Sequence, residues 1–181
     1  MVEDDRARVM SILYFVIGAS GAGKTSAVRQ PEKAQLRRLK TFFFDSVGTP
    51  TPEEMIEKWG GGESWQRAMT IEWVARIKPE LETSVAILDG QTRPQFISDA
   101  CRMHGLVSYA IILVHCSDAI RRARLIERGQ PALANRQMME WAAYLLRETE
   151  KAGGAVIDND ELTIAQTADL LKEIVQKDVA G

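Results

Sequence analysis

The chain is poor in the residues that build metal centres and disulfide frameworks: its 181 residues include two cysteines and two histidines. Cys101 and Cys116 have no metal-like spacing, so they read as buried or half-buried thiols, and His104 and His115 stand without ligand-like partners. Charge of one sign is also missing. Twenty-three basic residues against 25 acidic ones give a net charge of −2, which excludes a broad nucleic-acid or anionic-membrane footprint. No apolar run is long enough to span a bilayer, and the acidic start Met1-Val2-Glu3-Asp4-Asp5 is unlike a basic leader, so a cytoplasmic location is expected. Internal repeats and low-complexity blocks are absent as well. What is present, 45% hydrophobic and 27% charged residues, is ordinary globular composition for one domain over 1–181, with 1–9 expected as a flexible tail.

Against that background one segment stands out. Gly18-Ala19-Ser20-Gly21-Ala22-Gly23-Lys24-Thr25 fits the phosphate-loop pattern G-x-x-x-x-G-K-[ST] and directly follows the apolar run Ile12 to Ile17. A buried strand ending in glycines can wrap backbone N–H groups around a polyphosphate. Lys24 then adds positive charge near the β and γ phosphates, and the Thr25 hydroxyl can ligate Mg²⁺ at the start of the next helix. The expected ligands are ATP and Mg²⁺.

Four further apolar runs predict strands at 41–45, 85–89, 110–114 and 155–158. Their continuous hydrophobicity suits strands buried on both faces, as in a parallel sheet between helices. Helices are expected from Lys24, with Pro31 interrupting early, and then at 52–58, 64–78, 94–104, 118–128, 134–151 and 163–177. Thr51 before Pro52, and Thr163 before the closing pattern, read as helix caps. Trp65, Met69, Trp73 and Ile77 form one stripe, either core or a wall of a second binding pocket. The sum is an α/β three-layer sandwich around about five parallel strands.

Two more groups carry chemistry. In Leu88-Asp89-Gly90-Gln91-Thr92-Arg93-Pro94 the acid ends a buried strand beside the phosphate loop, where it can manage a metal or its water. Gly90 lets the chain turn close to ligand, and Arg93 can clamp an anion at the rim. Arg121, Arg124 and Arg128 share one helical face, suited to covering developing charge or simply to a solvated basic surface.

The Gly-rich loop with Lys24-Thr25, followed by strand-Asp89-Gly90-x-x-Arg93-Pro94, resembles small-molecule kinases of the P-loop superfamily, the nucleoside monophosphate kinases and their shikimate- and gluconate-kinase-like relatives. The likeness spans most of the chain. It implies an acceptor region after the second strand and a mobile lid at about 117–136, with Arg124 and Arg128 as lid arginines and Arg136 as a further candidate. It also implies that Asp45, expected at the end of the second strand, grips or deprotonates the acceptor hydroxyl, and that Asn159 contacts the adenine. Gln91-Thr92 departs from the Phe-Pro of adenylate kinases, and the segment from Trp59 to Trp65, with its three consecutive glycines, suggests a flexible acceptor-closing loop.

These readings converge on a Mg²⁺- and ATP-dependent phosphotransferase with a small-molecule acceptor and no nucleic-acid or membrane partner. The competing class is a nucleotide switch or slow ATPase acting on a protein partner. A polynucleotide-end kinase is a third option, disfavoured by the near-neutral charge.

Overall fold

The run after Ile12 forms strand β1 (Leu13–Ile17), all five of its residues buried. Alternate side chains of a strand point to opposite faces, and here each face meets its own apolar layer. Leu13, Phe15 and Ile17 join one core cluster, while Tyr14 and Val16 join the other. The computed structural model describes residues 12–33 and 38–179; the expected tail at 1–9 lies outside them. Four strands extend β1 into a parallel sheet: β2 (Leu39–Phe43), β3 (Val85–Gly90), β4 (Tyr109–His115) and β5 (Ala155–Asp158), in the order β2-β3-β1-β4-β5. Val16 pairs in register with Asp89, and Phe43 does so from the other side, so all the strands deliver their carboxyl ends to one edge. Ligands of open α/β sheets bind at that edge.

Helices cover both faces. α1 (Lys24–Lys33) and α7 (Ile164–Val179) flank one side, while α3 (Gly62–Ile77), α4 (Pro94–Met103) and α6 (Arg136–Lys151) supply the other layer. The architecture is the three-layer α/β sandwich expected. α2 (Pro52–Trp59) and α5 (Asp118–Glu127) complete the α-helices among the described residues, and none of these is long and apolar enough to cross a membrane. Thr51 caps α2 in a reciprocal box, accepting from the Glu54 amide at 3.2 Å while its own amide donates to the Glu54 carboxylate at 2.9 Å. Thr163 does the same with Gln166 ahead of α7. The stripe on α3 is core: Trp65, Trp73 and Ile77 are buried and Met69 packs against them.

Three expectations change. α1 runs past Pro31 to Lys33; the proline lies in the last turn, where its missing amide is near the end of the hydrogen-bond ladder. The three glycines are a tight junction, with only Gly60 and Gly61 between α2 and α3. Finally, β2 ends at Phe43, and Phe44–Val47 form a 3₁₀ turn, so Asp45 is exposed on a turn and does not end the strand. Phe44 causes that break. Its ring packs edge-on against Trp65 at 5.9 Å, and its carbonyl accepts from the Trp73 indole at 3.2 Å.

Candidate functional site

The phosphate loop occupies residues 18–23, between β1 and α1. Gly21 takes φ of +83°, and a Cβ there would come within 3.0 Å of Arg121 and Leu125, so both conformation and space require glycine. Arg121 explains the crowding. It is fully buried behind the loop and donates to the carbonyls of Ser20 at 3.1 Å and Cys116 at 2.9 Å. Burial lowers its pKa from the usual arginine value. The expected row of three lid arginines is therefore divided: Arg121 braces the loop from below, whereas Arg124 and Arg128 line the cavity beside it.

Arg124 is itself anchored. Its guanidinium donates to the side-chain oxygen of Asn159 at 2.9 Å and to the Asn159 carbonyl at 3.2 Å, and the Asn159 amide donates to the Ala22 carbonyl at 2.7 Å. Asn159 is 3% exposed, and these bonds commit both ends of its side chain to holding Ala22 and Arg124. Asp160 ties the following loop to the Ser117 amide at 2.6 Å, and that bond holds its carboxyl below the usual range.

Lys24 Nζ lies 3.3 Å from Thr25 Oγ1 and 2.5 Å from Asp89 Oδ1, drawing the two oxygens onto one cation. The adjoining cavity measures about 730 Å³ and includes the loop, Lys24, Thr25, Asp45, Gln91 and Asn159 in its walls. Four basic side chains line it, Lys24, Arg29, Arg124 and Arg128, against two acids, Asp45 and Glu127. That excess suits a polyanion. Thr25 and Asp89 are hard oxygen donors already gathered around a positive charge, which fits Mg²⁺. Among the described residues no group of three or more His, Cys, Asp or Glu could hold a metal unaided, so further ligands would have to come from phosphate or water.

A second cavity of about 540 Å³ opens beyond Arg93, against Met138, Trp141 and Tyr144 of α6. Trp141 and Tyr144 stack at 5.4 Å, and the Arg93 guanidinium lies 5.0 Å and 5.8 Å from their ring centres. Arg93 also donates to the Gln66 side-chain oxygen at 2.5 Å and pairs with Glu63 at 3.1 Å. Glu63 is 67% exposed and such pairs are weak, about 0–1 kcal/mol, so the guanidinium is available to a competing anion at small cost.

Gly90 serves a different purpose from the one expected. A Cβ there would lie 2.6 Å from the Phe44 Cβ, so the missing side chain admits Phe44 and hence the turn that carries Asp45. Arg136 is turned away, 90% exposed and paired with Glu140. Sequence reasoning missed Arg29, Glu63, Gln66, Trp141 and Tyr144, which come from three helices. It passed over Gln91 as a departure from a specificity motif, although its place two residues after Asp89 was a usable signal.

A parallel sheet in this order, with the glycine loop after β1 and Asp89 next to the end of β3, has the fold of solved small-molecule kinases. The chain superposes on a shikimate kinase from Acinetobacter baumannii, solved with shikimate, with a TM-score of 0.60 at 14% identity over 96% of this chain and 95% of that one. A sugar kinase from a Janibacter species, solved without ligand, gives a TM-score of 0.55 at 19% identity over 93% and 95%. No family model matches the sequence, and no curated protein does so.

Proposed function

We propose that the protein is a Mg²⁺- and ATP-dependent phosphotransferase that moves the γ-phosphate to a small hydroxyl compound. The observation that carries this reading is the adjacency of two cavities of different character. The basic one contains the phosphate loop, and the aromatic one contains Arg93. A pure nucleotide switch needs only the first. Lys24 and the loop hold the β and γ phosphates, while Thr25 and Asp89 hold Mg²⁺, which neutralises phosphate charge when bound. Asp45, on the wall of the donor cavity, orients the acceptor hydroxyl and takes its proton. Arg93 faces the acceptor. Arg124 and Arg128 balance charge at the transferring group, with 117–136 as the lid that excludes water. The whole chain acts as one kinase-like domain, in a cytoplasmic setting where ATP is plentiful.

The test is ADP release from Mg²⁺-ATP with and without a panel of nucleosides, nucleoside monophosphates, sugars and small hydroxy acids. A strong rise with one compound, a phosphorylated product, and loss of both in Lys24→Ala are expected. Tight ATP binding with slow hydrolysis that no compound accelerates would transfer the assignment to a nucleotide switch. Turnover unchanged in Lys24→Ala would remove the phosphate loop from the mechanism.

A further inference from the structure

Gln91 stands at the seam of the two cavities. It follows β3 directly, lines the basic cavity, and touches an element from each side. Its Nε2 donates to Ser20 Oγ of the phosphate loop at 3.0 Å, and its Oε1 accepts from the Trp141 indole of the aromatic cavity at 3.1 Å. The orientation of the amide follows from chemistry. An indole N–H can only donate, so the Gln91 oxygen must face Trp141, and the amide nitrogen is left for Ser20. The Ser20 oxygen therefore accepts from Gln91, and its own proton is free to be given elsewhere. A triphosphate offers acceptors alone, and Ser20 lines the cavity that would receive it. The backbone of Gln91 is tied in as well. Its carbonyl accepts from Gln66 Nε2 at 2.7 Å, and the Gln66 oxygen accepts from Arg93 at 2.5 Å. The chain of bonds thus runs from the phosphate loop to both polar and aromatic walls of the second cavity.

We infer that Gln91 is a positioning residue for phosphoryl transfer: it aims the Ser20 hydroxyl at the terminal phosphate and passes occupancy of the phosphate loop to Trp141 on the acceptor side. The inference rests on the phosphotransferase reading for the identity of the two cavities. Hydrogen bonds in series strengthen one another, so a phosphate oxygen accepting from Ser20 tightens the Gln91 and Trp141 bonds behind it. By linkage, a ligand that draws Trp141 and Gln91 into place raises the affinity of the loop for its phosphate by the same factor.

Because the readout is Trp141 itself, the test needs no acceptor. Full-length protein is titrated with Mg²⁺-ATP and with Mg²⁺-ADP, following tryptophan emission, with binding measured independently by calorimetry. The wild type should bind both nucleotides, with an emission change larger for ATP than for ADP and absent in Trp141→Phe. Ser20→Ala and Gln91→Leu should each still bind nucleotide, with ATP weakened more than ADP, and lose the ATP-specific change, and the double variant should lose no more than either alone. Once an acceptor is known, Gln91→Leu should lower kcat at least tenfold more than it raises the KM for ATP. Should Gln91→Leu fail to fold, Ser20→Ala alone decides, since it deletes the opposite end of the same bond. An ATP-specific Trp141 signal that survives Ser20→Ala overturns the inference, as does wild-type protein that binds ATP with no Trp141 signal; both leave the nucleotide site standing. Wild-type protein that binds no nucleotide overturns the underlying reading as well.

Discussion

Arg121 shows how a single buried cation can be worth more as a brace than as a reagent. Its guanidinium is enclosed between α5 and the phosphate loop, with its two terminal nitrogens on the carbonyls of Ser20 and Cys116. No carboxylate forms an ion pair with it among the described residues, so those carbonyls are its compensation for lost water. Replacing it by methionine removes an unfavourably desolvated charge but leaves two buried carbonyls without donors, at about 1–3 kcal/mol each. The expected outcome for Arg121→Met is a loss of about 2–4 kcal/mol in urea denaturation together with weaker ATP binding. Arg121→Lys, which can reach fewer acceptors, should fall between it and the wild type. A variant as stable as the wild type would mean that the loop holds its shape without the brace. The sequence placed Arg121, Arg124 and Arg128 on a common face, and helical spacing does that much. Which of them is buried depends on the tilt of α5 over the loop, and periodicity carries no information about tilt.

Elements were legible where one local rule sufficed. β1, β3 and β4 announced themselves as unbroken apolar runs because each is covered on both faces, and the Thr51 and Thr163 boxes were readable as caps because every contact lies within three residues. The end of β2 was not. Thr41-Phe42-Phe43-Phe44-Asp45 reads as strand throughout, but Phe44 is claimed by Trp65 and Trp73 from α3 and by the empty space at Gly90. The same contacts move Asp45 off the strand and onto a turn, so the position of the candidate base depends on a glycine 45 residues away along the chain. Gly90→Ala tests that dependence. A Cβ 2.6 Å from Phe44 Cβ meets an atom that cannot swing aside, and overpacking of this kind costs about 1–3 kcal/mol. The variant should lose stability in that range and alter near-ultraviolet dichroism from Trp65 and Trp73. Unchanged stability and spectra would show that the turn accommodates the methyl group.

For the molecule as a whole, the carboxyl edge of the sheet concentrates both the candidate chemistry and the groups whose protonation senses folding. His115 closes β4 in register with Asp158 and is half-buried beside Arg121. Burial lowers its pKa from the usual 6.5, and the Arg121 charge lowers it further, against opposing contributions from Asp158, Asp160 and Asp118. The native state therefore favours the neutral ring, whereas the unfolded chain takes up a proton near 6.5. Stability from this group is complete above that pH and is lost as pH falls from there through the lower native value, because the unfolded state binds more protons in that window. Melting temperature measured from pH 8 to pH 5 should fall with acidification for the wild type and more gently for His115→Gln, which cannot take up the proton. The two curves should separate below pH 6.5 and run parallel above it. A difference that stays constant across the range would assign the effect to packing and remove His115 from the pH response. Running the same scans with saturating Mg²⁺-ATP couples this edge to the phosphate loop, since a ligand at a hundred times its Kd adds about 2.7 kcal/mol to the native state at any pH where it binds equally well. If protonated His115 strains Arg121 and the loop above it, that increment should shrink as pH falls through the lower native value in the wild type and hold steady in His115→Gln.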